Sequence, residues 1–276
     1  MKKWLCVIFL VVITSCSKVI KTEEILIKNA DNEDIYVEVF KPKDAVSNKL
    51  AFIQHGLAAD KGHAVVQTLK RAFLDKQYTV VLFDSRYSIG KSSGSVENAR
   101  LNTFEEDLST VVKWAETQDF YHQPFALAGH SLGGAAVLLF TYEYPEKVGL
   151  TIPVTPVVSG KNWEDTCMQN MPDFCRNWKQ NGSYEYKPFG KTATISYQTV
   201  EDAKSYDAKK ILPAIKTPIL LVAGENDQVV NPEAIAGLSA YITPNDKLEI
   251  IPHGSHNFEN KENLTDLYNA VSAFIQ

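Results

Sequence analysis

Two periods of apolar residues alternate along this chain. "EILIKNADNEDIYVEVFKP" alternates apolar and polar positions on either side of an Asn/Asp turn, which predicts two strands. "NKLAFIQHG" and "YTVVLFD" are short continuous apolar runs, the pattern of strands buried on both faces. Between them, Val65, Val66, Leu69, Ala72 and Phe73 recur at helical spacing and predict a helix over 62–76. A second helix is expected over 103–118, with Thr103 as N-cap and Glu106 completing a capping box. "PFALAG" reads as a strand, 132–144 as a helix stopped before Pro145, and "KVGLTIPV" as another strand. After a break the alternation resumes with "TPILLVAG", a helix from Asn231-Pro232, "KLEIIP" and a terminal helix over 261–275.

Strand–helix alternation of this kind implies an α/β fold with a mostly parallel central sheet flanked by helices. The first two strands, joined by a tight turn, should run antiparallel to their neighbours. The break at 155–210 is polar and aromatic, with Trp163, Phe174, Trp178, Tyr184, Tyr186 and Phe189. It is expected to be an inserted lid over the carboxyl edge of the sheet, where open α/β sheets bind ligands.

Composition adds limits. The chain has 276 residues and a net charge of −5, with no Lys/Arg-rich block, so nucleic acid is not expected as a partner. The first residues stand apart: "MKK", then "WLCVIFLVVI", then "TSC". A positive start, a short apolar run and a small-residue end form a signal peptide over 1–15, too short to span a membrane. Ile13-Thr14-Ser15-Cys16 resembles the lipobox of bacterial lipoproteins. That resemblance implies a lipid on Cys16, a mature chain over 16–276 and a place on the cell envelope, facing the periplasm or the exterior. Cys167 and Cys175 then remain outside the cytoplasm, either bonded to each other or as two buried thiols. Neither lies in a CxxC or beside a histidine, so no metal site is read from them.

The chemistry concentrates in "FALAGHSLGGAAVLLF". A Gly-x-Ser-x-Gly between strand and helix is a nucleophile elbow, which lifts the hydroxyl of Ser131 above the sheet edge. A serine needs a base, and the base needs an acid to orient it. "AGENDQVV" and "IIPHGSHNF" each end a strand at the same edge, in the order serine, acid, histidine. Asp227 and His256 fit best, with Glu225 and His253 as the alternatives in the same loops. The backbone N–H groups of Leu57 and Leu132 are candidate oxyanion donors. His55 is read as shaping its loop. "GKS" at 90–92 lacks the earlier glycine of a phosphate loop, since Ser85 stands there.

"HG" at 55–56, "GHSLGG" at 129–134, "AGENDQVV" at 223–230 and "GSHNF" at 254–258 together resemble the α/β-hydrolase fold. The match runs from about residue 24 to 276. Within the fold the chain is most similar to the cinnamoyl/feruloyl-esterase, monoacylglycerol-lipase and serine-aminopeptidase-like group. The resemblance implies Ser131, Asp227 and His256 as a triad, Leu57 and Leu132 as the oxyanion hole, and no metal or cofactor. One departure is "DSRYSIGKSSG", where Tyr87 replaces a family glycine, and the acyl pocket beside that loop is expected to be reshaped.

The resulting expectation is a serine hydrolase of small carboxylic esters. A peptidase on the same triad is the nearest alternative. It would need a carboxylate to hold a substrate amine, and Glu164, Asp165, Asp173 and Glu185 are available in the insert. A non-catalytic binding protein on a hydrolase scaffold is the other.

Overall fold

The computed structural model describes residues 9–10, 21–42, 48–187 and 190–275. Phe9–Leu10 (β1) pairs antiparallel with Lys21–Lys28 (β2). The rest of the expected leader lies outside the described residues, as do Cys16 and Phe189. β2 turns back into Asp34–Lys41 (β3). The Asn29 side chain makes that turn by accepting the N–H groups of Asp31 and Glu33 at 3.0 and 2.8 Å.

The parallel part of the sheet follows. Its strands are Leu50–Gln54 (β4), Thr79–Asp84 (β5), Phe125–His130 (β6), Val148–Val154 (β7), Leu220–Gly224 (β10) and Lys247–Ile251 (β11). The strand order is β1-β2-β3-β5-β4-β6-β7-β10-β11, with every pair from β5 to β11 parallel and β2 and β3 antiparallel. β4, β5, β6 and β10 are buried at every position, which explains their unbroken apolar runs.

Helices cover both faces. Alternation along β4 shows how: Ala51 and Ile53 pack under Ala64–Asp75 (α1) and Lys261–Phe274 (α9). Leu50 and Phe52 pack under Leu101–Ala115 (α2) and Leu132–Glu143 (α3).

α2 starts two residues earlier than its local sequence indicates. Thr103 is not its N-cap. It sits within the first turn, where its hydroxyl accepts the Arg100 N–H at 3.0 Å and donates to the Arg100 carbonyl at 2.9 Å. The Leu101 N–H is instead capped by the Asp202 carboxylate at 2.9 Å, from a helix 101 positions away. Glu106, expected to complete the capping box, pairs with Arg86 at 3.0 Å.

The 155–210 stretch forms two helices, Gly160–Asn170 (α4) and Pro172–Asn181 (α5), then a hairpin of Ser183–Tyr186 (β8) and Ala193–Ser196 (β9). Two short helices follow, Gln198–Ala203 (α6) and Ala208–Ile211 (α7). Pro172 opens α5, where a missing N–H costs nothing. Trp163, Trp178, Tyr197 and Tyr206 share one apolar core with Phe104 of α2 and Leu132, Ala135 and Leu138 of α3. The insert is therefore continuous with the core of the fold. Pro232–Ala236 (α8), capped by Asn231, completes the elements. Among the described residues no helix is long and apolar enough to cross a membrane.

Cys167 of α4 is bonded to Cys175 of α5 across a sequence separation of 8. Closing so short a loop should contribute about 2–3 kcal/mol, chiefly by restricting the unfolded chain. Urea unfolding of protein purified without reductant should show that loss in the Cys167→Ala/Cys175→Ala double variant. A loss under about 0.5 kcal/mol, the scale of an inert substitution, would contradict it.

Candidate active site

Ser131 joins β6 to α3 with φ 54° and ψ −116°. For a residue with a Cβ this backbone is strained, at about 1–3 kcal/mol. Packing enforces it. The Ser131 N–H donates to the Val154 carbonyl at 2.9 Å, and the Ser131 carbonyl accepts from Ala135 and Val157 at 3.1 and 3.2 Å. α3 must also approach the loop after β4 closely, since a Cβ on Gly133 would lie 2.3 Å from the His55 carbonyl. On the other side, a Cβ on Gly56 would lie 3.0 Å from the Cβ of Ser131. Both contacts press the 55–57 loop against the serine.

His256 and Asp227 arrive from the loops after β11 and β10. The His256 imidazole lies between the other two side chains, with Nε2 2.9 Å from Ser131 Oγ and Nδ1 2.7 Å from Asp227 Oδ2. An ionised Asp227 can only accept, so the Nδ1–H donates to it and the Nε2 lone pair faces the serine hydroxyl. The second oxygen of Asp227 accepts the N–H groups of Val229 and Val230 at 2.8 and 2.9 Å, which holds the carboxylate in place. The alternatives, Glu225 and His253, pair with each other instead. The His253 N–H donates to Glu225 at 2.8 Å, and both side chains are exposed.

Leu132 is the first residue of α3, so its N–H has no acceptor within the helix. It lies at the positive end of the helix dipole. Leu57 borders the same cavity as Ser131, directly after Gly56. His55 ties two loops together. Its Nε2 accepts the Ser85 N–H at 2.9 Å and its Nδ1 donates to the Gly56 carbonyl at 2.7 Å.

Three further groups escaped the motif reading. His130, the variable residue of the elbow, donates from Nε2 to the His256 carbonyl at 2.9 Å. The Thr155 hydroxyl donates to that carbonyl at 3.3 Å. His63, the N-cap of α1, stacks on His130 with ring centres 5.0 Å apart and planes within 14°. Only residue type marked the two histidines in the sequence. Burial holds His55, His63 and His130 neutral. Desolvation lowers His55 and takes His130 well below the usual range, and it moves His63, with repulsion from His55 and His256, down to about 4.

A cavity of about 250 Å³ opens over Ser131. Leu57, Ala58 and Ala59 form one wall, and the aromatic residues of α4, α5 and β8 form the other. Among the described residues its lining includes no Asp, Glu, Lys or Arg. The acidic residues of the insert point elsewhere. Glu164 is held by Lys179, Lys204 and the Tyr197 hydroxyl, while Asp165 pairs with Lys161 and Asp173 with Arg176. Glu185 is exposed on β8. None of residues 84–94 lines this cavity; the loop around Tyr87 reaches it through the Ile89 N–H, which donates to the carbonyl of the lining residue Ala59 at 3.4 Å. Tyr87 takes a φ of 58° and donates its hydroxyl to Glu33 at 3.1 Å instead.

The family model described as serine aminopeptidase, S33, matches residues 47–263. A bifunctional esterase/perhydrolase of Acinetobacter calcoaceticus is 24% identical over 266 residues, covering 84% of this chain and 92% of that protein. The acylamino-acid-releasing enzyme of Rattus norvegicus is 25% identical over 214 residues, covering 75% of this chain and 28% of that one. Among solved structures, Est1E from Butyrivibrio proteoclasticus with ferulic acid bound superposes with a TM-score of 0.73. It shares 22% identity, covering 89% of this chain and 96% of that one. A hydrolase from Agrobacterium vitis gives a TM-score of 0.71 at 17% identity, covering 93% and 99%. The chain has the α/β-hydrolase fold.

The neutral histidines give the molecule an acid limit. Their folded pKa values lie below the unfolded value of 6.5, so their stabilisation is complete above that pH and is lost as pH falls towards 4. Urea unfolding measured from pH 8 to 4.5 should show stability falling below pH 6.5, with a net uptake of protons on unfolding. Stability unchanged from pH 6.5 to 4.5 would contradict the neutral assignment.

Proposed function

We infer that this chain, which belongs to the serine aminopeptidase, S33, family, hydrolyses carboxylic esters through an acyl-enzyme on Ser131. The observation that carries the reading is the hydrogen-bonded series from Ser131 through His256 to Asp227, at 2.9 and 2.7 Å, beneath an uncharged cavity.

In this mechanism His256 Nε2 takes the hydroxyl proton as Ser131 Oγ bonds to the ester carbonyl carbon. Negative charge develops on the carbonyl oxygen and is met by the N–H groups of Leu132 and Leu57. Asp227 keeps the imidazole in the tautomer that can accept, and stabilises the imidazolium that forms. The C–O bond to the alcohol breaks, and the alkoxide leaves with the proton from Nε2. Water then gives a proton to Nε2 as it bonds to the acyl carbon, the C–Oγ bond breaks, and Nε2 returns the proton to Ser131 Oγ, which frees the acid and the serine.

The cavity favours an apolar or aromatic acyl group over an amino-terminal residue. A buried ammonium would need a carboxylate partner, and the described lining supplies none. The esterase named among the relatives and the ferulic acid in the Est1E structure agree with that preference. We further propose that Cys16, in its lipobox-like setting, carries a lipid that holds the enzyme at the cell envelope.

Ser131→Ala should lower kcat on p-nitrophenyl butyrate by about 10⁴-fold or more with its thermal transition intact, and near-normal turnover would refute the assignment. Wild-type protein should cleave that ester well and aminoacyl-p-nitroanilides poorly. The reverse order would make it a peptidase. Cells fed radiolabelled palmitate should label the wild type and not Cys16→Ala, whereas equal labelling would refute the anchor.

A further inference from the structure

The residues around the cavity differ sharply in exposure. Met171, Phe174 and Tyr186 are 39%, 36% and 44% exposed and mark its mouth. Trp163, Cys167 and Trp178 are each under 9% exposed, as Ser131 and His130 are, but they alone of the described lining also border a second space and so mark the closed end. Behind that end lies a second void, too narrow to hold water. Trp163, Cys167 and Trp178 line both spaces, and Glu164, Met168, Cys175, Tyr197 and Val200 complete the inner one.

The partition is fixed in place. Cys167 is tied to Cys175. The Trp178 indole N–H donates to the Ile195 carbonyl at 3.0 Å. Its ring meets Tyr184 and Tyr197 edge-on, each at 5.1 Å, and Trp163 at 6.2 Å. A wall that cannot change rotamer is a hard stop: one methylene too many must displace packed rings.

We propose that Trp178 is the end stop of the cavity and sets the longest acyl group the enzyme accepts. The proposal rests on the ester reading above. The acyl side is assigned by the order of events. The alcohol must depart before water attacks, and an alcohol seated at the closed end would be trapped behind the acyl group on Ser131. The acyl group stays bonded through that exchange, so it belongs at the closed end, and the alcohol belongs at the mouth.

Shrinking Trp178 joins the inner void to the cavity and lengthens it. The test is kcat/KM for p-nitrophenyl esters from acetyl to dodecanoyl, with wild type, Trp178→Ala, Trp178→Leu and Ser131→Ala. The wild-type series should rise with length and then fall by about tenfold or more where the acyl group meets the indole, the scale on which a filled pocket rejects an added methylene. In Trp178→Ala the fall should move to longer acyl groups, raising the decanoyl-to-acetyl ratio at least about tenfold. Trp178→Leu should move it less and serves if the alanine variant does not fold. A uniform loss across all lengths, with the ratio unchanged in a folded variant, would overturn the proposal and leave the ester reading standing. A second series, acetate esters of lengthening alcohols, should be unaffected by the variants, and a shift confined to that series would also overturn the proposal. If wild type shows no Ser131-dependent hydrolysis of any ester in the series, the ester reading fails and the proposal falls with it.

Discussion

The positive φ of Ser131 is the constraint from which the rest of the site follows. An unfavourable backbone persists only where its surroundings over-determine it. Here β7 accepts the serine N–H, the first turn of α3 begins at once, and the loop after β4 presses on the serine from the other side. The small residues Gly133, Gly134, Ala135 and Ala136 follow from that geometry, because a bulkier start to α3 would push the helix off the sheet. The same approach sets the loop that carries Leu57 and the first turn of α3 beside Ser131. Strain and helix packing are thus one arrangement.

Charge is distributed around it with equal economy. The cavity lining carries no formal charge among the described residues, and Asp227 is buried behind His256 with both oxygens satisfied. His63 caps α1 and His130 adds a donor without either adding a cation, since burial keeps them neutral. A cation at His130 would repel positive charge on the neighbouring His256 ring. A neutral ring there donates to the His256 carbonyl without that repulsion.

Much of this was legible in the sequence because it is local. Apolar runs marked β4, β5, β6 and β10, and the 3.6-residue period marked α1. The elbow signature placed Ser131, and the loops holding Asp227 and His256 ended recognisable strands. What could not be read depends on distant partners. The true start of α2 is set by Asp202, so Thr103 looked like a cap when it was already inside the helix. Tyr87 bonds to Glu33, 54 positions back, a partner that the local motif does not show. Nor could periodicity show that the 155–210 insert shares its core with α2 and α3, because the residues that meet there lie far apart in the chain.

The central claim is that Ser131 is a nucleophile made reactive by its surroundings. A fluorophosphonate reports on this directly, since it phosphonylates an activated serine hydroxyl and leaves ordinary ones untouched. Intact-mass and peptide mass spectrometry after brief exposure should find a single adduct, on the peptide containing Ser131, formed quickly in the wild type and only slowly in His256→Ala. A wild-type protein that stays unlabelled, or one labelled at another residue, would contradict the account.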